Sequence, residues 1–326
     1  MKLTVMVPTY RRCADLQRCL EALKQQTRPA DEVLVIVRDT DDETWAFLAS
    51  YAAAPLPLQP LVVKASGVVA AMNVGLTAAR GDIIASTDDD AAPRLDWLQQ
   101  IEAYFLADAT LGGVGGRDWQ YIGQDLKETG ACAVVGKLQW FGRVIGNHHL
   151  GVGGPRAVDV LKGVNMAYRR MAIEHLRFDD RMWGSGAQVH FELAFTLAVR
   201  RAGWKLIYDP AVAVNHYPAQ RFDEDQRDQF NPLALVNAVH NETLALLSHL
   251  PPIQRLVFLL WSVLVGHREA RGLVQLLRFW PQEGMASCRK WRAAMWGRWQ
   301  GWQTWRNSQW SAAPTTQPTG QLGGMP

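Results

Sequence analysis

Apolar positions along the chain switch between two periods. Residues 3–8 (LTVMVP) form an apolar run of strand length. After a turn, Leu16, Leu20 and Leu23 recur at the spacing of one helix face. Residues 31–37 (DEVLVIV) predict a second strand. Residues 44–53 predict a helix, closed by Pro55, Pro57 and Pro60. A third short strand is expected at 61–64 (LVVK) and a helix at 67–81, with Gly81 as its C-terminal cap. Residues 82–87 (DIIAST) read as a fourth strand and 94–108 as another helix. Strands alternating with helices predict an α/β fold with a mostly parallel sheet flanked by helices.

The middle of the chain changes style. Residues 111–119 and 147–155 are glycine-rich and predict short strands and loops. A strand is expected at 158–170, a helix at 190–203 ended by Gly203, and a strand at 204–216 ending in His216. After about residue 230 the pattern is helical.

Ligands of such sheets bind beyond the carboxyl ends of the strands. Three polar clusters fall there: TYRR (9–12), RDTDD (38–42) and TDDD (87–90). Asp88, Asp89 and Asp90 repel one another, so something must compensate them. Asp90 is one candidate to cap a following helix. The other reading is a divalent cation, since hard cations take oxygen ligands. Alternation along extended chain puts Asp88 and Asp90 on one side and Asp89 on the other.

Composition narrows the field. A chain of 326 residues, 48% hydrophobic and 20% charged, can bury a large core. A net charge of +3 does not point to nucleic acid. The charge is unevenly spread. From Pro251 onward nine Lys/Arg stand against two Asp/Glu, a balance of +7 that leaves −4 for the first 250 residues. An acidic body with a basic tail suggests that the tail meets an anionic surface. Cys13, Cys19, Cys132 and Cys288 lack metal-site spacing, and a reduced, cytoplasmic chain without a signal peptide is expected. Adjacent His148 and His149, in a glycine-rich loop, read as solvent-exposed rather than as metal ligands.

Six segments in order, VMVPTYRR, VVAAMNVGLTAARGDIIASTDDDAAPRLDWL, GGVGGR, LKGVNMAYRR, FDDRMWGSG and RRAGWKLIYDPAVAVNH, resemble the inverting family 2 glycosyltransferases of GT-A fold. The resemblance covers about residues 1–220. It implies a nucleotide-diphosphate sugar as donor and Mg²⁺ or Mn²⁺ as cofactor. The family's DXD motif falls on Asp88, Asp89 and Asp90. Asp90 is implied as the metal ligand, Asp88 as ribose or metal contact, and His216 as a contact to metal or diphosphate. The nucleotide pocket is implied at Pro8, Thr9, Tyr10, Arg12 and Asp39, and Asn73 matches the family's donor-site asparagine. Met72 stands where the family often has arginine. The family's Glu-Asp pair falls on Phe191 and Glu192, which leaves Glu192 as the base, with His190 and Asp180 as substitutes. Gly115, Gly116 and Arg117 are candidates for the wall over the donor, and Asn165 and Arg169 for the acceptor side.

The expected organisation is a catalytic domain at 1–225, a helical extension at 226–310 and a disordered tail at 311–326. Within the first, 1–110 is the nucleotide-sugar half and 111–225 the acceptor side. Residues 253–266 are nearly apolar for about 14 residues, short of the ~20 that span a bilayer. Seven of the 14 tryptophans lie from Trp280 onward, and Trp291, Met295, Trp299, Trp302 and Trp305 would form a stripe on one helix. Either that helix packs on the core, or it lies at a membrane interface with its basic neighbours on anionic lipid. The second option implies a peripheral protein on the inner face of a bacterial plasma membrane, with contact through 253–310. It acts on a saccharide or lipid-linked acceptor in envelope or exopolysaccharide synthesis. A non-catalytic nucleotide-sugar-binding scaffold on the same fold is the alternative.

Overall fold

A computed structural model describes residues 1–127, 129–220, 222, 224 and 230–311. The first half builds four parallel strands. These are β1 (Leu3–Thr9), β2 (Glu32–Arg38), β3 (Leu58–Val63) and β4 (Ile83–Thr87), linked by α1 (Cys13–Lys24), α2 (Asp42–Ser50) and α3 (Val68–Ala78). Strands β1, β2 and β4 are buried almost throughout, as runs of Val, Ile and Leu require when both faces of a sheet are covered.

Then come β5 (Ala91–Pro93), α4 (Trp97–Ala107) and the long β6 (Leu111–Ile122). Short strands follow: β7 (Asp125–Leu126), β8 (Lys137–Leu138), β9 (Val144–Ile145) and β10 (Arg156–Ala157). The sheet is completed around β11 (Asn165–Arg169), α5 (Arg170–Ile173), α6 (Phe191–Arg201) and β12 (Lys205–His216). Its order is β10-β12-β6-β11-β4-β1-β2-β3, with β11 antiparallel to both neighbours and β12 parallel to β6. The sheet is therefore mixed. The glycines of residues 112–116 lie inside β6 rather than in turns. A Cβ on Gly116 would stand 1.7 Å from the Val212 carbonyl oxygen, so two strands approach where no side chain fits.

Several local expectations change. Helix α3 stops at Ala78, and Gly81 is no cap: its Cβ would lie 2.6 Å from the Thr4 backbone nitrogen, so it is small for strand contact. Helix α4 starts at Trp97, with Asp96 at its N-cap position. Asp90 therefore caps no helix, because residues 91–93 form β5 instead. Gly203 does follow α6 in the left-handed region, at φ +91°.

The C-terminal region holds α7 (Pro232–His249), α8 (Pro252–Leu264), α9 (Leu273–Glu283) and α10 (Met285–Ser311). Helix α10 lies on α7 through Gly297 and Gly301, whose Cβ atoms would meet the Val236 and His240 carbonyl oxygens at 2.7 and 2.6 Å. The expected tryptophan stripe divides. Trp302 and Trp305 pack against the main core, whereas Trp299 is exposed. Between Trp296 and Trp299, Arg298 turns inward and donates to the Arg271 and Ala270 carbonyls at 2.8 and 2.6 Å. No described helix is long and apolar enough to cross a membrane. The expectation for the tail at 311–326 falls outside the described residues apart from Ser311.

Candidate active site

Parallel pairing of β2, β1 and β4 brings their carboxyl ends together, so Thr9, Arg38 and Asp88 meet at one sheet edge. A cleft of about 640 Å³ opens there. Its lining includes Pro8, Thr9, Tyr10, Arg12 and Arg38 on one side and Asp88, Asp89, Asp90 and His216 at the floor. Lys162, residues 185–187, Val189 and Glu192 complete it on the far side.

The three aspartates divide their tasks. Asp89 is buried and turned toward the first strand. It accepts from the Thr9 hydroxyl at 2.8 Å and from Arg12 Nη1 at 2.8 Å. Burial pushes its carboxyl up to about 7, against the pull of the Arg12 guanidinium. Arg12 Nη1 also stands 3.5 Å from Asp90 Oδ2, and Asp88 and Asp90 gather with His216. One ligand atom of each, with one from His216, lies within 4.8 Å of the other two.

That grouping depends on a strand pair distant in sequence. β5 runs antiparallel to the end of β12, with Ala91 opposite His216. The Tyr217 amide donates to the Asp90 carbonyl at 2.8 Å, and the Ala219 amide to Asp90 Oδ2 at 2.9 Å. Asp90 Oδ1 then lies 3.4 Å from His216 Nε2, buried and without a hydrogen-bond partner. Burial opposes ionisation of Asp90, but His216, the Ala219 amide and Arg12 outweigh it and hold the carboxyl near 2. On the other side of the ring, His216 Nδ1 lies 3.5 Å from Asp118 Oδ2. Burial alone would lower His216; Asp118 and Asp90 raise it to about 9. Two carboxylates, one of them bearing the unpaired buried oxygen, and the imidazole of His216 once it gives up its proton fit a divalent cation that accepts oxygen and nitrogen ligands.

Asp118 and Lys162 were not singled out from sequence, nor was Arg38. Asp118 sits in β6, fully buried, and receives Lys162 Nζ at 2.6 Å and Gln120 Nε2 at 2.8 Å. A carboxylate inside a strand that is otherwise buried was the available signal, because burying a charge is costly unless it is paired.

Other expectations need correction. Asn73 is absent from the cleft lining: its amide spans the Phe178 backbone, donating to the carbonyl and accepting from the N–H, both at 2.9 Å. Asp39 is exposed at the end of β2, and it is the preceding Arg38 that lines the cleft. Met72 is buried in the core. Arg117 lies over the Trp119 ring at 3.5 Å and donates to the His149 carbonyl, so it braces a loop. Asn165 accepts from the Trp97 indole and donates to the Val212 carbonyl; Arg169 donates to the carbonyls of Leu111, Phe105 and Asp108. Both hold elements together. His148 is buried rather than exposed, with Nε2 3.0 Å from the Val160 carbonyl.

Glu192 stands in the first turn of α6 and faces the cleft. Phe191, where the family has an acid, instead packs on Phe178 and beneath Gly163. Asp180 is exposed and, like His190, does not line the cleft. The loop before α6 is pinned from two sides. Gln188 donates to the Met182 carbonyl at 2.8 Å and accepts from the Val69 amide at 3.0 Å, while the Val68 amide donates to the Gly186 carbonyl. From α7, buried Asn241 accepts from the Trp183 amide at 2.7 Å and donates to the Trp183 and Val189 carbonyls at 2.9 and 3.0 Å.

A family model described as glycosyl transferase family 2 matches residues 4–177. The curated relatives include glycosyltransferase AglE of Haloferax volcanii, 32% identical over 100 residues, which are 30% of this chain and 33% of that protein. Glycosyltransferase YwdF of Bacillus subtilis is 37% identical over 90 residues, 28% of this chain and 33% of that protein. The chain spans about a third of the length of either. Among solved structures, residues 1–349 of TarS from S. aureus in complex with UDP-GlcNAc align with a TM-score of 0.60 at 14% identity. That match covers 95% of this chain and 91% of that one. GalNAc-T7 with UDP, GalNAc and Mn²⁺ aligns at 0.59 and 15%, covering 74% and 47%. At such identities the likeness shows the fold, and the fold is the GT-A arrangement expected from sequence.

Proposed function

The chain belongs to glycosyl transferase family 2, and from that membership we propose that it is a metal-dependent, inverting glycosyltransferase. It moves a sugar, of hexose type, from a nucleotide-diphosphate donor to a glycan or lipid-linked acceptor. The observation that carries this reading is the meeting of Asp88, Asp90 and His216 at the floor of a cleft that Glu192 faces. That UDP-GlcNAc is bound by TarS, and UDP and Mn²⁺ by GalNAc-T7, supports it by analogy of fold.

Asp88, Asp90 and His216 would hold Mg²⁺ or Mn²⁺, which when bound supplies Lewis-acid stabilisation of the charge developing on the departing diphosphate. Arg12 and Lys162 add fixed positive charge to the cleft. Tyr10, with Phe222 edge-on at 6.2 Å, offers an aromatic flank to the nucleotide base. Glu192 accepts the proton of the acceptor hydroxyl as that oxygen attacks the anomeric carbon from the face opposite the leaving group, which inverts the centre. Phe191 takes no part in that step; it fixes the start of α6 by packing. The acceptor belongs to envelope or exopolysaccharide synthesis at the inner face of a plasma membrane.

Hydrolysis of a panel of nucleotide sugars by the purified protein with Mn²⁺ tests the reading without a known acceptor. The expected result is turnover of one donor class, abolished by Asp90→Asn. With an acceptor in hand, Glu192→Gln is expected to lower transfer by about 10²–10⁴ while donor affinity is kept. Full transfer by Glu192→Gln would remove the base assignment. Donor binding with no turnover under any condition would favour a non-catalytic nucleotide-sugar-binding scaffold.

A further inference from the structure

Helix α9 has no buried residue. Leu273, Val274, Leu277 and Trp280 are all exposed, Leu277 at 72%. Helix α8 buries Phe258 and Ser262, with the Phe258 ring over Gly142, and turns its opposite face outward. That face carries Ile253, Leu256 and Leu260 at i, i+3 and i+7, exposed at 79, 61 and 54%.

The pair is nonetheless firmly placed. The turn between the helices is closed by pairing of Gly266 with Arg271. Arg271 is buried and donates to Ser287 Oγ at 2.6 Å and to Glu283 at 2.7 Å. Its own carbonyl is held by Arg298. Polar anchors at the ends of α9 therefore fix the helix while its apolar side faces outward, uncovered by any described residue. Exposed apolar side chains at helical spacing on two successive helices are more than scattered surface leucines account for, and mark an interaction site.

Charge identifies the occupant. Arg268 and Arg278 are exposed and lie 5.9 and 5.5 Å from the Phe279 ring, beside the apolar stripe of α9. The nearby acids are engaged: Glu269 with His267 at 3.1 Å, Glu283 with Arg271 and with Lys290 at 2.8 Å. The open charge at the rim is thus positive. A two-fold contact between copies would bring two basic rims into one interface with no open acid among the described residues there to pair them. An anionic lipid surface meets both features at once. The leucines enter the acyl boundary, Trp280 lies at headgroup depth, and the arginines meet phosphate.

We propose that the outer faces of α8 and α9 dock the protein on an anionic lipid bilayer. The docking places the surface on these two helices and not on the tryptophan helix α10, which is spent largely on packing. It deepens the membrane setting given under Proposed function but does not depend on the chemistry of the cleft.

The test is flotation of the full chain with phosphatidylcholine vesicles, with and without phosphatidylglycerol. Binding is expected to the phosphatidylglycerol-containing vesicles and to weaken as salt rises. Leu256→Glu with Leu277→Glu, and separately Arg268→Glu with Arg278→Glu, are each expected to weaken it by about tenfold or more. Donor hydrolysis without vesicles is expected to stay unchanged in both, which also reports that they fold. Equal wild-type binding to both vesicle types would overturn the proposal. So would absence from both, or a dimer in light scattering that the leucine changes dissolve. Vesicle binding without donor turnover would sink the catalytic reading and leave this one standing.

Discussion

Replacing Asn241 by leucine tests whether the helical extension governs the cleft. The two side chains are close in volume, so no large cavity opens. What is lost is polar. The Trp183 amide and the carbonyls of Trp183 and Val189 each lose a partner now at 2.7–3.0 Å, and His240 Nδ1 loses Asn241 Oδ1 at 2.9 Å. An unsatisfied buried group costs about 1–3 kcal/mol, which for the three backbone groups alone sets a range of roughly 3–9 kcal/mol. Trp183 is half-buried and Val189 exposed, so water reaches part of this loop and the low end, about 3 kcal/mol, is expected. Urea unfolding measures that loss. Hydrogen exchange should rise in residues 183–189, and donor affinity should fall several-fold, because Ser185, Gly186, Ala187 and Val189 line the cleft. Stability within about 1 kcal/mol of the wild type, with unchanged exchange in the loop, would refute the coupling.

Two further outcomes follow from buried polar groups. His148 is buried and its imidazole is pushed down to about 4, chiefly by burial. The unfolded chain, with an ordinary histidine near 6.5, binds the extra proton first, so stability is full above about pH 6.5 and lost as pH falls toward 4. The loss from His148 approaches about 3 kcal/mol; urea titrations at pH 7 and 4.5 should show it, and His148→Asn should shrink the difference by roughly that share, leaving the part due to His249, which burial also pushes down to about 4. Asp118→Asn should weaken Mn²⁺ binding by about 10–100-fold in calorimetry, because a carboxylate behind a ligating histidine orients the ring; an unchanged affinity would leave Asp118 a partner of Lys162 alone.

Sequence pattern carried much of the fold. Apolar strands with charged ends put Thr9, Arg12 and the aspartates past the carboxyl ends of β1 and β4, where the cleft opens, because buried parallel strands read as continuous apolar runs and their ends are where polar residues collect. Strand alternation does not reach the aspartates: β4 ends at Thr87 and residues 88–90 turn, so Arg12 meets both Asp89 and Asp90. What periodicity could not supply was pairing between distant segments. β5 has three residues, too few to show a period, yet its pairing with β12 sets His216 beside Asp90. Asn73 and Asn165 are polar residues whose partners are backbone groups about 105 and 47 positions away, and no local pattern reports that. Gly81 reads as a helix cap, and the glycines of β6 as short strands and loops, because contact with a neighbouring strand leaves the same mark in sequence as backbone freedom. The tryptophans of α10 could be read either way because an aromatic stripe at helical spacing serves core and interface equally well.

The clamp of Asn241 on the loop before α6 has a consequence for synthesis. A ribosome delivers the chain from its amino end, and domains fold as units when their residues have emerged. Strands β1, β2 and β4, with the acidic floor of the cleft, come out early. The loop over that floor is held on one side by α3, through Val68 and Val69, and is tied on the other only when α7 arrives, against which Gly297 and Gly301 of α10 then close. Trp302 and Trp305 then complete the core that β11 and α6 began. The cleft is therefore begun by some of the first residues translated, and its loop receives its last ties only once α7 has followed the whole sheet.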